Sequence, residues 1–464
     1  MMDLERLAAA VGAVDVVGRA PVELSDLAYD ARAVTRGAAF FCVRGAHVDG
    51  HDFAGSALAA GAAALIVERR LEVEAPQVVV ADSRVAMALA ADEFFGRPTE
   101  ELQVAGITGT NGKTTTSVLL FAILAAAGRR PGLVGTIEAR VGGERRGVKR
   151  TTPEAIDLQR LFREMLDSGD RSAAIEASSH ASALHRLDRV RFAALVFTNL
   201  SHEHLDFHAD MEDYFEAKRR LFVEGAPPAA VNIGDEYGRR LAAELPDALT
   251  FGFADGAAVG AEALEGIDLK LRGRFNAENA LGAIAAARLL GIEHDAIVRG
   301  LESVRGVPGR FETIDEGQAF AVIVDYAHKP VALEALLRTA RELATGRVLC
   351  VFGCGGDRDR EKRPQMGRIA SELADVVIVT NDNPRSEDPQ AIVDAIVAGA
   401  VGDVEVEPDR AAAIARAIES AREGDVVLIA GKGAEQGQEF ADRTIPFDDR
   451  EAAREALRTL GART

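Results

Sequence analysis

Between Leu102 and Ala127 an apolar run passes through a glycine-rich turn into a helical stretch, and this order of elements constrains the fold more than anything else in the chain. The turn reads Gly106-Ile-Thr-Gly-Thr-Asn-Gly-Lys-Thr-Thr115. A strand that ends this way aims backbone N–H groups and a helix N-terminus at phosphate oxygens, with Lys113 as a point charge and the Thr114 hydroxyl placed for magnesium. The spacing is not that of a strict Walker A loop, because Ile107 stands five residues before Gly112. The turn predicts a nucleoside triphosphate held by Gly109, Thr110, Asn111, Gly112, Lys113, Thr114 and Thr115, and nothing finer.

Around this turn, strand-like runs such as Ala193 to Thr198 alternate with longer helical segments, the pattern of a mostly parallel sheet. A second series, at Phe320 to Val324, Val348 to Phe352, Val376 to Thr380 and Val426 to Ala430, predicts a doubly wound sheet of the dinucleotide-binding type. From Leu24 to Val80 the chain reads as a compact α/β unit with a strand at Ala38 to Val43 and a helix at Phe53 to Gly61. Breakers at Gly96, Arg97, Pro98 and again at Val307 to Arg310 separate these units. The expectation is an α/β protein of three domains: 1–98, 99–306 with the phosphate loop and a parallel sheet, and 307–464 with a Rossmann-like sheet. A chain of 464 residues is long enough for that number.

A formal charge of −19 argues against nucleic acid as a partner, since wrapping a polyanion needs a broad basic field. Cys42, Cys350 and Cys354 are too few for a disulfide framework and read as buried thiols. With no run of eighteen apolar residues and no charged-then-apolar leader over Met1 to Ala20, the expectation is a cytoplasmic protein without membrane insertion.

Two polar clusters should meet at the carboxyl edge of the central sheet, where open α/β sheets bind ligands. One strand ends in Glu176-Ala-Ser-Ser-His180, the next in Thr198-Asn-Leu-Ser-His-Glu-His-Leu-Asp-Phe-His208. A zinc-hydrolase motif fails, because Asp206 rather than histidine stands four residues after His202. Glu176 and His204 suit the shell of a magnesium ion beside a triphosphate. His202 reads more simply as a surface or capping residue, while for His208 that reading and a place in the site stand open alike.

These clusters, followed by Tyr214-Phe-Glu-Ala-Lys-Arg-Arg-Leu-Phe222, resemble the Mur ligases, and within them the members that add diaminopimelate. The resemblance covers nearly the whole chain. It implies that Lys218, otherwise an unremarkable helix lysine, is carbamylated by CO2 and joins Thr114, Glu176 and His204 as a magnesium ligand. A carbamate is an anionic oxygen donor of the kind a hard cation prefers. Lys113, Glu176, His204 and Lys218 are then the catalytic set, and Asn276, Arg310 and Asp325 join the ATP contacts.

Further residues follow by the same resemblance. Ala31, Ala46, His47 and Val48 would hold the uridine diphosphate, and Thr151, Thr152, Ser178 and Arg186 the muramoyl peptide. Thr151 and Thr152 could also cap the helix after Pro153, and the two roles can coexist. Arg358, Asp382, Asn383, Pro384, Arg385, Gly431 and Glu435 would form the diaminopimelate pocket. There Arg385 offers a planar fork to the distal carboxylate, and Glu435 pairs with the distal ammonium. Such a pocket should reject lysine by ~10⁴-fold, since the guanidinium would be left unpaired. The sequence departs from the family's habit at Ala31, Leu184, Lys329, Val331 and Ala434, where serine, glutamine, threonine, aspartate and histidine are usual.

The reaction the resemblance implies joins meso-diaminopimelate to UDP-N-acetylmuramoyl-L-alanyl-D-glutamate through an acyl phosphate. The enzyme would be a monomer using ATP, Mg2+ and small-molecule substrates. A lysine-adding ligase, folylpolyglutamate synthetase and a nucleotide-hydrolysing switch protein remain as alternatives.

Overall fold

The computed structural model describes residues 2–18, 22–45 and 48–462. Its central sheet has eight strands in the order Glu144–Arg146, Ala139–Val141, Pro131–Val134, Ser172–Glu176, Gln103–Thr108, Phe192–Phe197, Ala229–Asn232 and Leu249–Phe251. From Pro131–Val134 onward the pairing is parallel, while the first two strands form an antiparallel hairpin at the edge. Parallel strands buried on both faces need continuous apolar runs. Accordingly Val104, Ala105 and Ile107 are wholly buried, and a core lies on each side of the sheet. One core packs Leu119, Leu120 and Ile123 against the alanine-rich helix Arg274–Leu289; the other gathers Phe162, Phe197, Phe215 and Phe222. A glycine lets a further helix, His294–Ser303, approach the phosphate-loop helix closely: a Cβ on its Gly300 would stand 2.4 Å from Ile123 Cα.

The C-terminal sheet runs Glu312–Ile314, Ala321–Asp325, Val426–Ala430, Val348–Phe352, Val376–Val379 and Glu405–Val406. Only its first strand is antiparallel, and separate cores cover its two faces, so it is doubly wound as the periodicity predicted. The N-terminal sheet holds Asp15–Val17, Gln77–Val79, Ala64–Val67, Ala38–Phe41 and Asp26–Ala28. Two local expectations are corrected. The helix expected from Phe53 starts as a 3-10 turn, Gly50–Phe53, capped by Asp49, and becomes α-helical only over Ala54–Ala59. Thr151 and Thr152 do not cap the following helix, because Glu154 occupies its N-cap position without a side-chain bond.

Cys42, Cys350 and Cys354 are buried and free. Among the described residues no helix is long and apolar enough to cross a membrane.

Candidate active site

The carboxyl ends of the central and C-terminal sheets open onto one cleft of about 1130 Å³. The phosphate loop forms its central-sheet wall. Gly109 and Gly112 have φ of +147° and +85°, and a Cβ at either would collide, 1.9 Å from Thr198 Oγ1 and 2.2 Å from Asn279 Oδ1. Only glycine fits both backbone and space. Gly112 caps the helix Lys113–Ala126 with no side-chain bond, which leaves the first-turn N–H groups available to an anion. Lys113 Nζ donates to the carbonyls of Gly109 and Thr110, each at 2.8 Å, and burial lowers its pKa.

Lys218, on the helix Met211–Val223, is wholly buried rather than the solvated lysine its sequence context suggests. Its Nζ donates to Gly109 O at 3.0 Å and lies 4.6 Å from the Tyr214 ring centroid. Burial, with the Lys113 cation second, holds its pKa well below the usual lysine value.

Glu176 stands buried at its strand end, where Oε1 accepts from Thr136 N at 2.7 Å and Oε2 from Thr136 Oγ1 at 3.0 Å. Thr152 Oγ1 donates to the Glu176 carbonyl at 2.7 Å and lies 3.0 Å from Ser178 Oγ. Thr136 Oγ1 is 3.1 Å from Thr151 Oγ1, and Arg186 is paired with Glu154 at 2.8 Å. The carboxylate end and the threonine pair are thus one hydrogen-bonded unit.

His204 adopts φ +57° and packs edge-on against His180, with ring centroids 4.6 Å apart. Burial pushes its pKa down to about 3, so the imidazole is neutral and able to ligate near pH 7. His202 is exposed, whereas His208 is buried and stacked on Tyr214, a core histidine rather than a surface one. Among the described residues no three His, Cys, Asp or Glu side chains form a cage for a metal. The hydroxyl of Thr114, the carboxylate of Glu176 and the imidazole of His204 nevertheless share the cleft wall with Glu203, whose Oε2 is buried without a partner. That donor set fits a hard cation whose shell is completed by phosphate oxygens and water.

The C-terminal sheet supplies the opposite wall. Arg310 lies 4.2 Å over the Tyr326 ring and reaches Thr114 Oγ1 at 3.4 Å. Asp325 accepts from the backbone N–H groups of Phe311 and Ala327, each at 2.7 Å, and burial raises its pKa. Lys329 pairs with Glu203 across the cleft. Burial would raise the Glu203 pKa, but Lys329, His204 and Lys113 hold it below the carboxylate range.

Arg385 has φ +53°; its Nε donates to Glu439 Oε2 at 2.7 Å and Nη1 to Gly356 O at 2.8 Å. Arg358, Asp382, Asn383, Gly431 and Glu435 line the cleft beside it. Asn276 is buried near the phosphate-loop helix, where Asn279 donates to its Oδ1 at 3.3 Å. Gly109 and Pro384 lie beneath the lining rather than on it. Ala31, in the 3-10 turn Ala31–Ala33, and exposed Val48 belong to the N-terminal unit and are not part of the cleft. Ala46 and His47 lie outside the described residues. Sequence reasoning assigned no role to Glu203, Lys329 or Lys432. Glu203 sits inside the histidine loop and Lys432 beside Gly431, so proximity to chosen residues was the available signal.

A phosphate loop facing a Rossmann-like sheet across a cleft lined by buried lysines and carboxylates defines a nucleotide-dependent enzyme of opposed α/β domains. Three family models match: the Mur ligase family catalytic domain over residues 23–94, the Mur ligase middle domain over 107–287, and the Mur ligase glutamate ligase domain over 309–433. The chain belongs to the Mur ligase family of ATP-dependent ligases. It is 47% identical to the UDP-N-acetylmuramoyl-L-alanyl-D-glutamate–2,6-diaminopimelate ligase of Solibacter usitatus, covering 95% of each chain. The enzyme of the same name from Streptomyces coelicolor is 44% identical, over 94% of this chain and 93% of that one. A solved structure of a ligase with this name superimposes with a TM-score of 0.68 at 30% identity, covering 98% of both chains.

Proposed function

We propose that the protein ligates meso-diaminopimelate to UDP-N-acetylmuramoyl-L-alanyl-D-glutamate at the expense of ATP, as a cytoplasmic monomer in cell-wall precursor synthesis. The observation that carries this reading is one cleft with the phosphate loop on one wall and Asp382, Asn383 and Arg385 on the other. The names of the relatives, at 44% and 47% identity over nearly the whole chain, point the same way.

In this reading Lys113 and the N–H groups of its helix hold the triphosphate, with Asn276 toward the adenine and Arg310 reaching in from the C-terminal domain. Thr151, Thr152, Ser178 and Arg186 position the peptide, and Ala31, Ala46, His47 and Val48 the uridine diphosphate. The D-glutamate carboxylate oxygen attacks the γ-phosphorus and ADP leaves; the amine of diaminopimelate then attacks the acyl carbon, phosphate leaves, and the amine proton passes to solvent. No protein nucleophile takes part, so positioning across the cleft is the main catalytic resource. Thr114, Glu176, His204 and carbamylated Lys218 would hold magnesium, which supplies neutralisation of the polyphosphate charge. Burial lowers the Lys218 pKa and so favours the neutral amine, the form that adds CO2. Arg385 takes the distal carboxylate and Glu435 the distal ammonium, with Arg358, Asp382, Asn383, Pro384 and Gly431 completing the pocket.

The test is a radiolabelled ligation assay with diaminopimelate and lysine side by side. ADP and phosphate should form only when the UDP-dipeptide and diaminopimelate are both present. Turnover without either, or preference for lysine, would overturn the assignment.

A further inference from the structure

Lys432 is wholly buried in the loop that follows the strand Val426–Ala430. A buried ammonium is costly unless compensated, and a methionine would fill the same space without that cost. Its compensation comes from two residues of the amino-acid pocket. Nζ donates to Asn383 Oδ1 at 2.9 Å and to Glu435 Oε2 at 3.1 Å. Asn383 Nδ2 donates to the same Glu435 oxygen at 2.9 Å, and Asn383 Oδ1 accepts from Glu439 N at 3.0 Å. Asn383 is thereby oriented on both ends of its amide. Both donors to Glu435 use Oε2, so Oε1 is the oxygen left for a ligand.

The backbone on either side of Lys432 is confined. Gly431 has φ +120° and room for no Cβ, which would stand 2.7 Å from Asp382 Oδ2. Gly433, at φ +55°, is wedged so that a Cβ would lie 2.7 Å from Gly309 O and 2.9 Å from Tyr326 Cβ. The lysine thus extends from a clamped loop to one destination.

We infer that Lys432 is a positioning residue for the amino-acid substrate, acting through Asn383 and Glu435 so that one carboxylate oxygen is pre-set for the substrate's ammonium group. Pre-organisation of this kind lowers the cost of binding without the lysine touching the ligand. The inference rests on the diaminopimelate-ligase reading.

The experiment measures steady-state constants of the full-length enzyme for each of three substrates. In Lys432→Met, KM for diaminopimelate should rise about tenfold or more, the scale of losing a residue that orients a ligand contact. kcat and the KM values for ATP and the UDP-dipeptide should stay within about twofold. Lys432→Arg, which keeps the charge, should recover part of the loss. In a Glu435→Gln background the added effect of Lys432→Met should largely vanish, because the two act as one unit. An unchanged diaminopimelate KM, an effect undiminished in the Glu435→Gln background, or a rise in all three KM values with loss of cooperative unfolding in both lysine variants would each overturn the inference. A wild type that ligates no diaminopimelate overturns the functional reading instead; an active wild type with a silent Lys432→Met overturns this inference alone.

Discussion

Lys113 and Lys218 donate to the same acceptor, the carbonyl of Gly109, at 2.8 and 3.0 Å. Two ammonium groups on one buried carbonyl repel each other, and the wholly enclosed Lys218 is the one driven furthest toward the neutral amine. Loading the enzyme with 13C-labelled CO2 should therefore give a carbamate carbon signal by NMR that Lys218→Ala lacks. The variant should lose activity by ~100-fold or more, in line with removing a group that stabilises charge in the transition state. A labelled signal that persists in Lys218→Ala would place the carbamate elsewhere.

Arg385 spends Nε on Glu439 and Nη1 on Gly356 O, an arrangement that steadies the guanidinium plane. Arg385→Ala should abolish the preference for diaminopimelate over lysine in a competition assay, mainly through loss of diaminopimelate turnover. Retained preference would show that the distal carboxylate is read by another group.

The Lys329–Glu203 pair joins the two walls of the cleft, with each side chain 12% exposed. Lys329→Met leaves Glu203 buried without its ion-pair partner, with Lys113 the lysine remaining near it, and should cost about 3 kcal/mol of stability by denaturant unfolding. Adding Glu203→Gln should return most of that loss. Two additive penalties would mean that the pair is not coupled.

His180 and His204 have pKa values pushed down to about 4 and about 3, in each case chiefly by burial. Both lie below the unfolded value of 6.5, so the unfolded chain takes up protons first as pH falls. Stability should decline from about pH 6.5, through both histidines down to about pH 4, where folded His180 also protonates, and through His204 alone down to about pH 3. Thermal unfolding across that window should show a shallower decline for His180→Asn.

Gly109→Ala places a methyl group 1.9 Å from Thr198 Oγ1 on a backbone at φ +147°. Nucleotide affinity should fall by more than tenfold in a direct ADP-binding measurement, because the loop must move to admit the side chain. Unaltered binding would show that the turn tolerates displacement.

Much of this architecture could be read along the chain. Strand Gln103–Thr108, its glycine turn and the helix after it are contiguous, and their chemistry is local: apolar run, conformational freedom, charge. The succession of C-terminal strands along the chain followed equally from short-range periodicity, whereas the insertion of Val426–Ala430 between Ala321–Asp325 and Val348–Phe352 in the sheet did not. Lys218 was different. On the helix Met211–Val223 it looks like any solvated lysine, and only the resemblance to known ligases singled it out.

What the sequence by itself determined was the set of elements and the chemical types at their ends, because hydrophobic period, glycine placement and motif spacing act over a few residues. What only the tertiary structure decided was which of those ends meet. Glu203 and Lys329 are 126 residues apart in number yet share an ion pair, and Lys432 finds Asn383 49 residues away. Their burial, the altered proton affinities around them and the oxygen left free on Glu435 arise from long-range packing that excludes water, and no local pattern encodes that exclusion.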